Sequence, residues 1–167
     1  MMRIAQFMRV SRERFDADWR AAFPDLPSPY DRLTAPRRAT AGSAGYDFFA
    51  PLDFSLQPGR QIAIPTGVRA RIDPGWALLL FPRSGLGFKY RLQLNNTVGV
   101  VDADYFGAEN EGHIFIKLTN AGERPLSVAA GEAFAQGVFV PFGITLDDSA
   151  TAPRRGGFGS TDGADKK

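Results

Sequence analysis

Apolar and polar positions along the chain change period twice. Residues 3–10 alternate loosely around Ile4, which predicts a short strand. Ser11 then offers a helix N-cap, and Phe15, Trp19 and Ala22 recur at helical spacing, so a short helix is expected at about 12–22. Pro24, Pro27 and Pro29 follow within Phe23–Tyr30. Each removes a backbone donor and biases its predecessor to extended geometry, so this segment reads as a linker lying over the body. From about residue 30 the period is that of short strands separated by turns. Ile62 and Ile64, then Val68, Ala70 and Ile72, alternate with polar or small residues, while Gln57-Pro58-Gly59-Arg60 and Asp73-Pro74-Gly75 read as turns. Trp76 to Phe81 is a continuous apolar run, expected as a strand buried on both faces. His113 to Thr119 alternates cleanly, Asn120 to Glu123 closes it, and Phe134 to Phe142 forms another strand region. The segment from Asp147 is Gly-rich and polar and reads as a flexible arm. No internal repeat is seen.

Composition supports this reading and narrows the chemistry. A length of 167 residues favours one domain. Eighteen Gly and 12 Pro, set against 14 Phe, 4 Tyr and 2 Trp, tilt the chain to an all-β fold of short strands. The absence of Cys excludes disulfides, thiolate zinc sites and Cys nucleophiles; a lone His113 excludes multi-His metal clusters and weakens any Ser-His-Asp arrangement. The net charge of +2 arises in residues 1–40, which carry eight Lys/Arg against five Asp/Glu, with twelve against thirteen beyond them. The excess is local rather than a stripe, so nucleic-acid binding is not expected. No run approaches 18 apolar residues, and the N-terminal stretch is charged where a signal peptide would be apolar, so a cytoplasmic protein without a membrane span is expected.

Five segments could carry chemistry. Thr40 to Asp47 sets an acid after small residues that permit close backbone approach; an ordinary turn with an exposed Asp reads the same way. Phe81-Pro-Arg83-Ser84-Gly85 gathers a guanidinium, a hydroxyl and glycine amides at a strand end, suited to an anion or to a hairpin turn. Asn95 to Gly107 runs apolar into a predicted bend, because Asp102 and Tyr105 would face opposite sides of a straight strand. A carboxylate there could activate water, and Asn96 could read a base edge with its donor and acceptor. Gly131 to Gln136 begins a strand with Gln136 among apolar neighbours. Arg154-Arg155-Gly-Gly-Phe158-Gly159-Ser160-Thr161 joins two phosphate-matching guanidiniums, exposed amides, two hydroxyls and a ring that could stack on a base.

In this order and spacing, Ala44-Gly-Tyr-Asp47, Pro82-Arg-Ser-Gly85, Asn96 through Tyr105-Phe-Gly107, Gly131 through Gln136 and Gly156-Gly-Phe-Gly-Ser-Thr161 resemble the five motifs of the trimeric dUTP diphosphatase (dUTPase) family. The resemblance covers residues 40–161. It implies a jelly-roll-like distorted β barrel (a dUTPase-like β-clip) that hydrolyses dUTP to dUMP and pyrophosphate with Mg²⁺. Such a protein is a homotrimer with active sites shared between subunits, each C-terminal arm closing over a neighbour's pocket. The implied organisation is an N-terminal extension at 1–30, the barrel at 31–146 and the arm at 147–167. Asp102 would be the general base, and Tyr105 would pack under the deoxyribose and reject a 2′-hydroxyl. Asn96 with Gly99 and Val100 would read uracil. Arg83, Ser84, Gly85 and Gln136 would hold phosphates, and Asp47 would hold Mg²⁺ through a water. Phe158 would stack on uracil, with Arg154 or Arg155, Gly159, Ser160 and Thr161 at the arm's substrate contacts.

Three departures qualify the match. Ala133 stands where the fourth motif usually has Arg, and the Arg154-Arg155 pair is the expected compensation. The fifth motif is shorter before its Gly-Gly pair, which leaves open which Arg takes the family role. The third motif continues Gly107-Ala-Glu-Asn-Glu-Gly112-His113, an acidic insertion expected to be a tolerated surface loop. Two other readings share the fold: a dCTP deaminase-type relative, for which only Glu109 and Glu111 of the insertion could serve as acid and base, and a non-catalytic β-barrel interaction module.

Overall fold

The computed structural model describes residues 2–152 together with Arg154 and Gly156. Strand β1 (Ala5–Arg9) opens the chain and helix α1 (Arg12–Ala22) follows, close to the boundaries that periodicity predicts. The Ser11 side chain accepts a hydrogen bond from Arg14 N–H at 3.1 Å, so a hydroxyl satisfies one of the unpaired amides of the first turn. Phe15 and Trp19 are four apart and therefore share one face. They bury with Val10 and Leu33 in a satellite cluster outside the main core.

The body is all-β. Its strands are β2 (Tyr46–Phe49), β3 (Phe54–Leu56), β4 (Gln61–Pro65), β5 (Val68–Ile72), β6 (Trp76–Pro82), β7 (Leu92–Leu94), β8 (Gly99–Val101), β9 (Phe115–Asn120), β10 (Leu126–Val128) and β11 (Ala133–Pro141). They form a sheet β2-β11-β6-β8, a sheet β4-β9-β7, and the pairs β1-β5 and β3-β10, every pairing antiparallel. This is the jelly-roll-like barrel that the resemblance implies, and its build from short strands is what the composition anticipates. The core runs between the sheets through Phe48, Ile64, Leu78, Ile116, Leu118 and Phe134. β6 is less enclosed than its apolar run suggests: Ala77, Leu78 and Leu80 are buried, but Trp76, Leu79 and Phe81 are half-buried, because one face of that sheet is only partly covered.

Two glycines explain how closely the layers approach. A Cβ on Gly137 of β11 would lie 2.8 Å from Leu78 Cδ1 and 3.1 Å from Phe48 Cε2, so only a residue without a side chain lets that strand cross the core. Gly67, at φ +72°, lies under the N-terminal cluster; a Cβ there would meet Leu33 Cδ1 at 2.3 Å and Phe15 at 3.2 Å. The N-terminal segment is thus seated on a spot left bare for it. Its strand β1 pairs with β5 over five residues, from Ala5 with Ile72 to Arg9 with Val68.

Candidate active site

The β2-β11-β6-β8 sheet sets four of the five segments in adjacent strands. Asp47 of β2 is the register partner of Gln136 of β11, and Gln136 is the partner of Phe81 of β6. Gln136 Nε2 donates to Pro82 O at 3.3 Å, and Gly45 lies so near that a Cβ there would be 2.8 Å from Gln136 Oε1. At the end of β6, Arg83 N–H donates to Phe134 O at 3.1 Å. The chain then turns into a seven-residue helix, α2 (Ser84–Tyr90), whose N-cap is Arg83 and whose C-cap is the left-handed Arg91. Leu86 and Gly87 N–H both return to Arg83 O. The sequence offers an anion cradle or a hairpin turn at this strand end; two glycines in seven residues oppose a helix, and the tertiary frame overrides that propensity. Asp47, Arg83, Ser84, Gly85 and Gln136 are therefore brought to one end of the sheet.

Asn96 lies exposed at the tip of the turn between β7 and β8. Its carbonyl accepts Val98 N–H at 2.7 Å, and Thr97 takes φ +66° to close the turn. Gly99 pairs with Leu80 of β6 while Val100, 54% exposed, faces outward.

The predicted bend is present. Asp102 ends the extended run and caps a 3₁₀ turn over Ala103–Gly107, with Tyr105 N–H donating to Asp102 O at 3.2 Å. Arg154 of the arm lies on this bend. Its guanidinium donates to Asp102 Oδ2 at 2.7 Å, pairs with Asp104 Oδ1 at 3.1 Å, and sits 5.4 Å from the Tyr105 ring centre. Tyr105 is buried, its hydroxyl donating to His113 O at 2.8 Å and accepting from Asn110 Nδ2 at 2.7 Å. Burial holds the phenol's pKa above its ordinary value. Arg155, Phe158, Gly159, Ser160 and Thr161 lie outside the described residues.

These residues form two groups that one chain does not unite. β8 runs antiparallel to β6, with Leu80 opposite Gly99 and Leu78 opposite Val101. Asp102 therefore falls beside the Ala77 end of β6, whereas Arg83 follows its other end. Six residues of strand separate those ends, about 20 Å.

One expectation changes. The insertion after the third motif is not a free surface loop: Ala108, Gly112 and His113 are buried in it, and it grips the N-terminal segment. Ser11 N–H and Oγ–H donate to the Glu111 carboxylate at 2.8 and 2.6 Å, which holds that carboxyl below its usual pKa. His113 Nδ1 lies 2.6 Å from Asp18 Oδ2 of α1, and its Nε2 accepts Gly67 N–H at 2.8 Å. A backbone N–H can only donate, so the imidazole is the neutral Nδ1–H tautomer. Burial lowers its pKa against the pull of Asp18. The one histidine, which composition treats only as an exclusion, is thus a buried strut. Ala133 stands at the start of β11. It is buried opposite Phe49, and the guanidinium over the Phe49 ring, at 5.0 Å, belongs to Arg37. Of the pair expected to compensate, Arg154 lies on Asp102 and Asp104, and Arg155 lies outside the described residues.

A family model described as dUTPase matches residues 31–162. The chain belongs to the dUTPase family. The deoxyuridine 5′-triphosphate nucleotidohydrolase of Mannheimia succiniciproducens is 42% identical over 132 residues, spanning 74% of this chain and 84% of its own. That of Lactococcus lactis is 40% identical over 132 residues, spanning 77% and 88%. The crystal structure of dUTPase from Streptococcus mutans matches with a TM-score of 0.62 at 34% identity, covering 85% of this chain and 98% of that one. This dUTPase hydrolyses dUTP to dUMP and pyrophosphate, which sets aside the deaminase and the inert barrel. No helix among its described residues is long and apolar enough to cross a membrane.

Proposed function

We propose that Asp102 is the general base of this dUTPase and that each active site combines the Asp102 group of one subunit with the phosphate-holding group of another in a homotrimer. The observation that carries this is the distance of about 20 Å between the two groups along β6. The triphosphate of one substrate is too short to be held at Arg83 while its α-phosphorus stands beside Asp102 of the same chain. A second copy removes the conflict.

In the reaction Asp102 takes a proton from a water whose oxygen attacks the α-phosphorus. The new P–O bond forms as the bond to the bridging oxygen breaks, and pyrophosphate leaves with that electron pair. Asp102 requires only reach to the water and an ionised carboxylate. Arg83, Gln136 and the amides and hydroxyl at Ser84-Gly85 hold the phosphates in line, which is catalysis by positioning and charge neutralisation. Asn96 and the backbone at Gly99 and Val100 read uracil, and the Tyr105 ring packs against the sugar. Arg154, already beside Asp102 and Tyr105, brings the arm's charge to the substrate, with Phe158, Gly159, Ser160 and Thr161 following it.

Among the described residues there is no group of three or more potential metal ligands from His, Asp and Glu. A cage built wholly from protein does not fit. Mg²⁺, which keeps several waters and takes phosphate oxygens, needs only one carboxylate, and Asp47, the register partner of Gln136, would hold it through a water. When bound, the ion adds positive charge at the phosphates. The dUTPase of phage phi11 of S. aureus, 20% identical with a TM-score of 0.63, coordinates a structural Mg(II) ion.

Subunit mixing tests the shared site. Asp102→Asn and Arg83→Ala should each be inactive alone, while trimers re-formed from a mixture of the two should regain activity. Mixed trimers as inactive as their parents would show that no site draws on two chains.

A further inference from the structure

The insertion and the N-terminal segment meet at Tyr105, and the motifs account for neither. We propose that Asn110 and His113 of the insertion, braced from outside by Asp18 of α1, are positioning residues that fix the Tyr105 ring and thereby set the discrimination between deoxyribose and ribose. This rests on the reading of Tyr105 as the sugar-packing residue.

The Tyr105 hydroxyl donates to one insertion residue and accepts from another, His113 O and Asn110 Nδ2. Asn110 is in turn held by its Oδ1, which accepts Gly112 N–H at 3.2 Å. Gly112 sits at φ +69° so close beneath the tyrosine that a Cβ there would lie 2.6 Å from Tyr105 O. His113 cannot shift without breaking its bonds to Asp18 and to Gly67 N–H, both inaccessible to water on the imidazole side. Between Asn110 and Gly112, Glu111 is fixed on Ser11, and just ahead of the insertion Arg69 of β5 donates to Phe106 O and stacks 3.6 Å over the Phe106 ring. The bonds from the phenol to His113 O and from Asn110 Nδ2 to the phenol therefore come from a segment that is itself anchored. A planar ring held at its hydroxyl keeps one face position, and a 2′-hydroxyl is rejected by sub-ångström fit, which a loosely held ring does not give.

The experiment compares kcat/KM for dUTP and UTP in six variants of the full chain, with thermal unfolding as the folding control. Tyr105→Ala should admit UTP. Asn110→Ala, which removes one hydrogen bond to the phenol, should lower the dUTP/UTP ratio by about threefold to tenfold through UTP gain rather than loss of dUTP turnover, and Tyr105→Phe, which removes two, should lower the ratio at least as far. The double variant should do no more than Tyr105→Phe alone, since losing the hydroxyl already removes the bond to Asn110. Asp18→Ala, distant from the substrate, should lower the ratio, and Asp18→Asn, which still accepts from Nδ1–H, should restore it. If Tyr105→Ala still excludes UTP, the sugar-packing reading falls and the inference with it. If Tyr105→Ala admits UTP but Asn110→Ala, Tyr105→Phe and Asp18→Ala keep the wild-type ratio, only the positioning inference is overturned. Unfolding of Asn110→Ala leaves Tyr105→Phe and the Asp18 pair to decide.

Discussion

The junction between Ser11 and Glu111 should be a coupled unit of measurable strength. One hydroxyl does two things there: it accepts Arg14 N–H as the cap of α1 and donates to Glu111 Oε1 at 2.6 Å. Ser11→Ala removes both. Loss of an N-cap costs about 1 kcal/mol. Loss of a hydrogen bond to a charged acceptor costs about 1.5 kcal/mol, the low end of its range, because the Glu111 side chain is 34% exposed and water can re-solvate the freed oxygen. The sum is about 2.5 kcal/mol. Glu111→Ala removes the acceptor for both Ser11 donors and should cost about 2–3 kcal/mol. The two share one bond, so the double variant should fall short of the sum by about 1 kcal/mol or more. Urea unfolding at fixed protein concentration measures this, with the fluorescence of Trp19, buried in the same cluster, as the probe. Ser11→Thr, which keeps the hydroxyl, should stay near wild type. Additivity within about 0.5 kcal/mol would refute the coupling, and with it the idea that the insertion and the N-terminal segment hold each other.

Three further outcomes are expected. Deleting residues 153–167 should abolish dUTP hydrolysis while leaving the thermal midpoint within a few degrees, since among the described residues none after Phe139 packs on the main core; a collapse of the midpoint would show that the arm is part of the folded body. Gly67→Ala should destabilise by about 2–4 kcal/mol through left-handed strain and the clash with Leu33 and buried Phe15, and proteolysis should release residues 1–33 first; unchanged protease resistance would count against the seating described. His113 has a folded pKa below its ordinary 6.5, so the unfolded chain takes up the proton first. Its contribution is complete above about 6.5 and is lost as pH falls from there toward the folded value. The thermal midpoint should therefore drop between pH 8 and 5.5 in wild type and drop less in His113→Gln; equal slopes would remove His113 as the cause.

Much of the barrel is legible in the sequence because strand patterning is local. Period-two alternation at Val68, Ala70 and Ile72 maps onto β5, the helical spacing of Phe15 and Trp19 onto α1, and the turns at Gly59 and Gly75 onto left-handed glycines. The bend at Asp102 is legible for a geometric reason, since a straight strand would turn Asp102 and Tyr105 apart. Helix α2 is not legible: Gly85 and Gly87 oppose it, and what forms it is the tether of Arg83 N–H to Phe134 O, a partner 51 residues away that no local pattern encodes.

The same limit explains why the role of the insertion could not be read. Glu111 and Ser11 stand 100 residues apart, and His113 and Asp18 stand 95 apart. In the sequence each is an ordinary polar residue, and the run Glu109-Asn110-Glu111 has the composition of a solvated loop. One signal was available: a lone histidine beside a Gly and before an apolar run, in an insertion that also carries a carboxylate and an amide. Burial turns these polar groups into constraints, because each must find a partner of the right kind once water is withdrawn. His113 satisfies this with a carboxylate on one nitrogen and a backbone amide on the other, which fixes its tautomer, its ring and the carbonyl it offers to Tyr105. Through such pairing a polar insertion becomes part of the packed frame. The structure shows the pairing reaching from α1 to the Tyr105 hydroxyl without a gap.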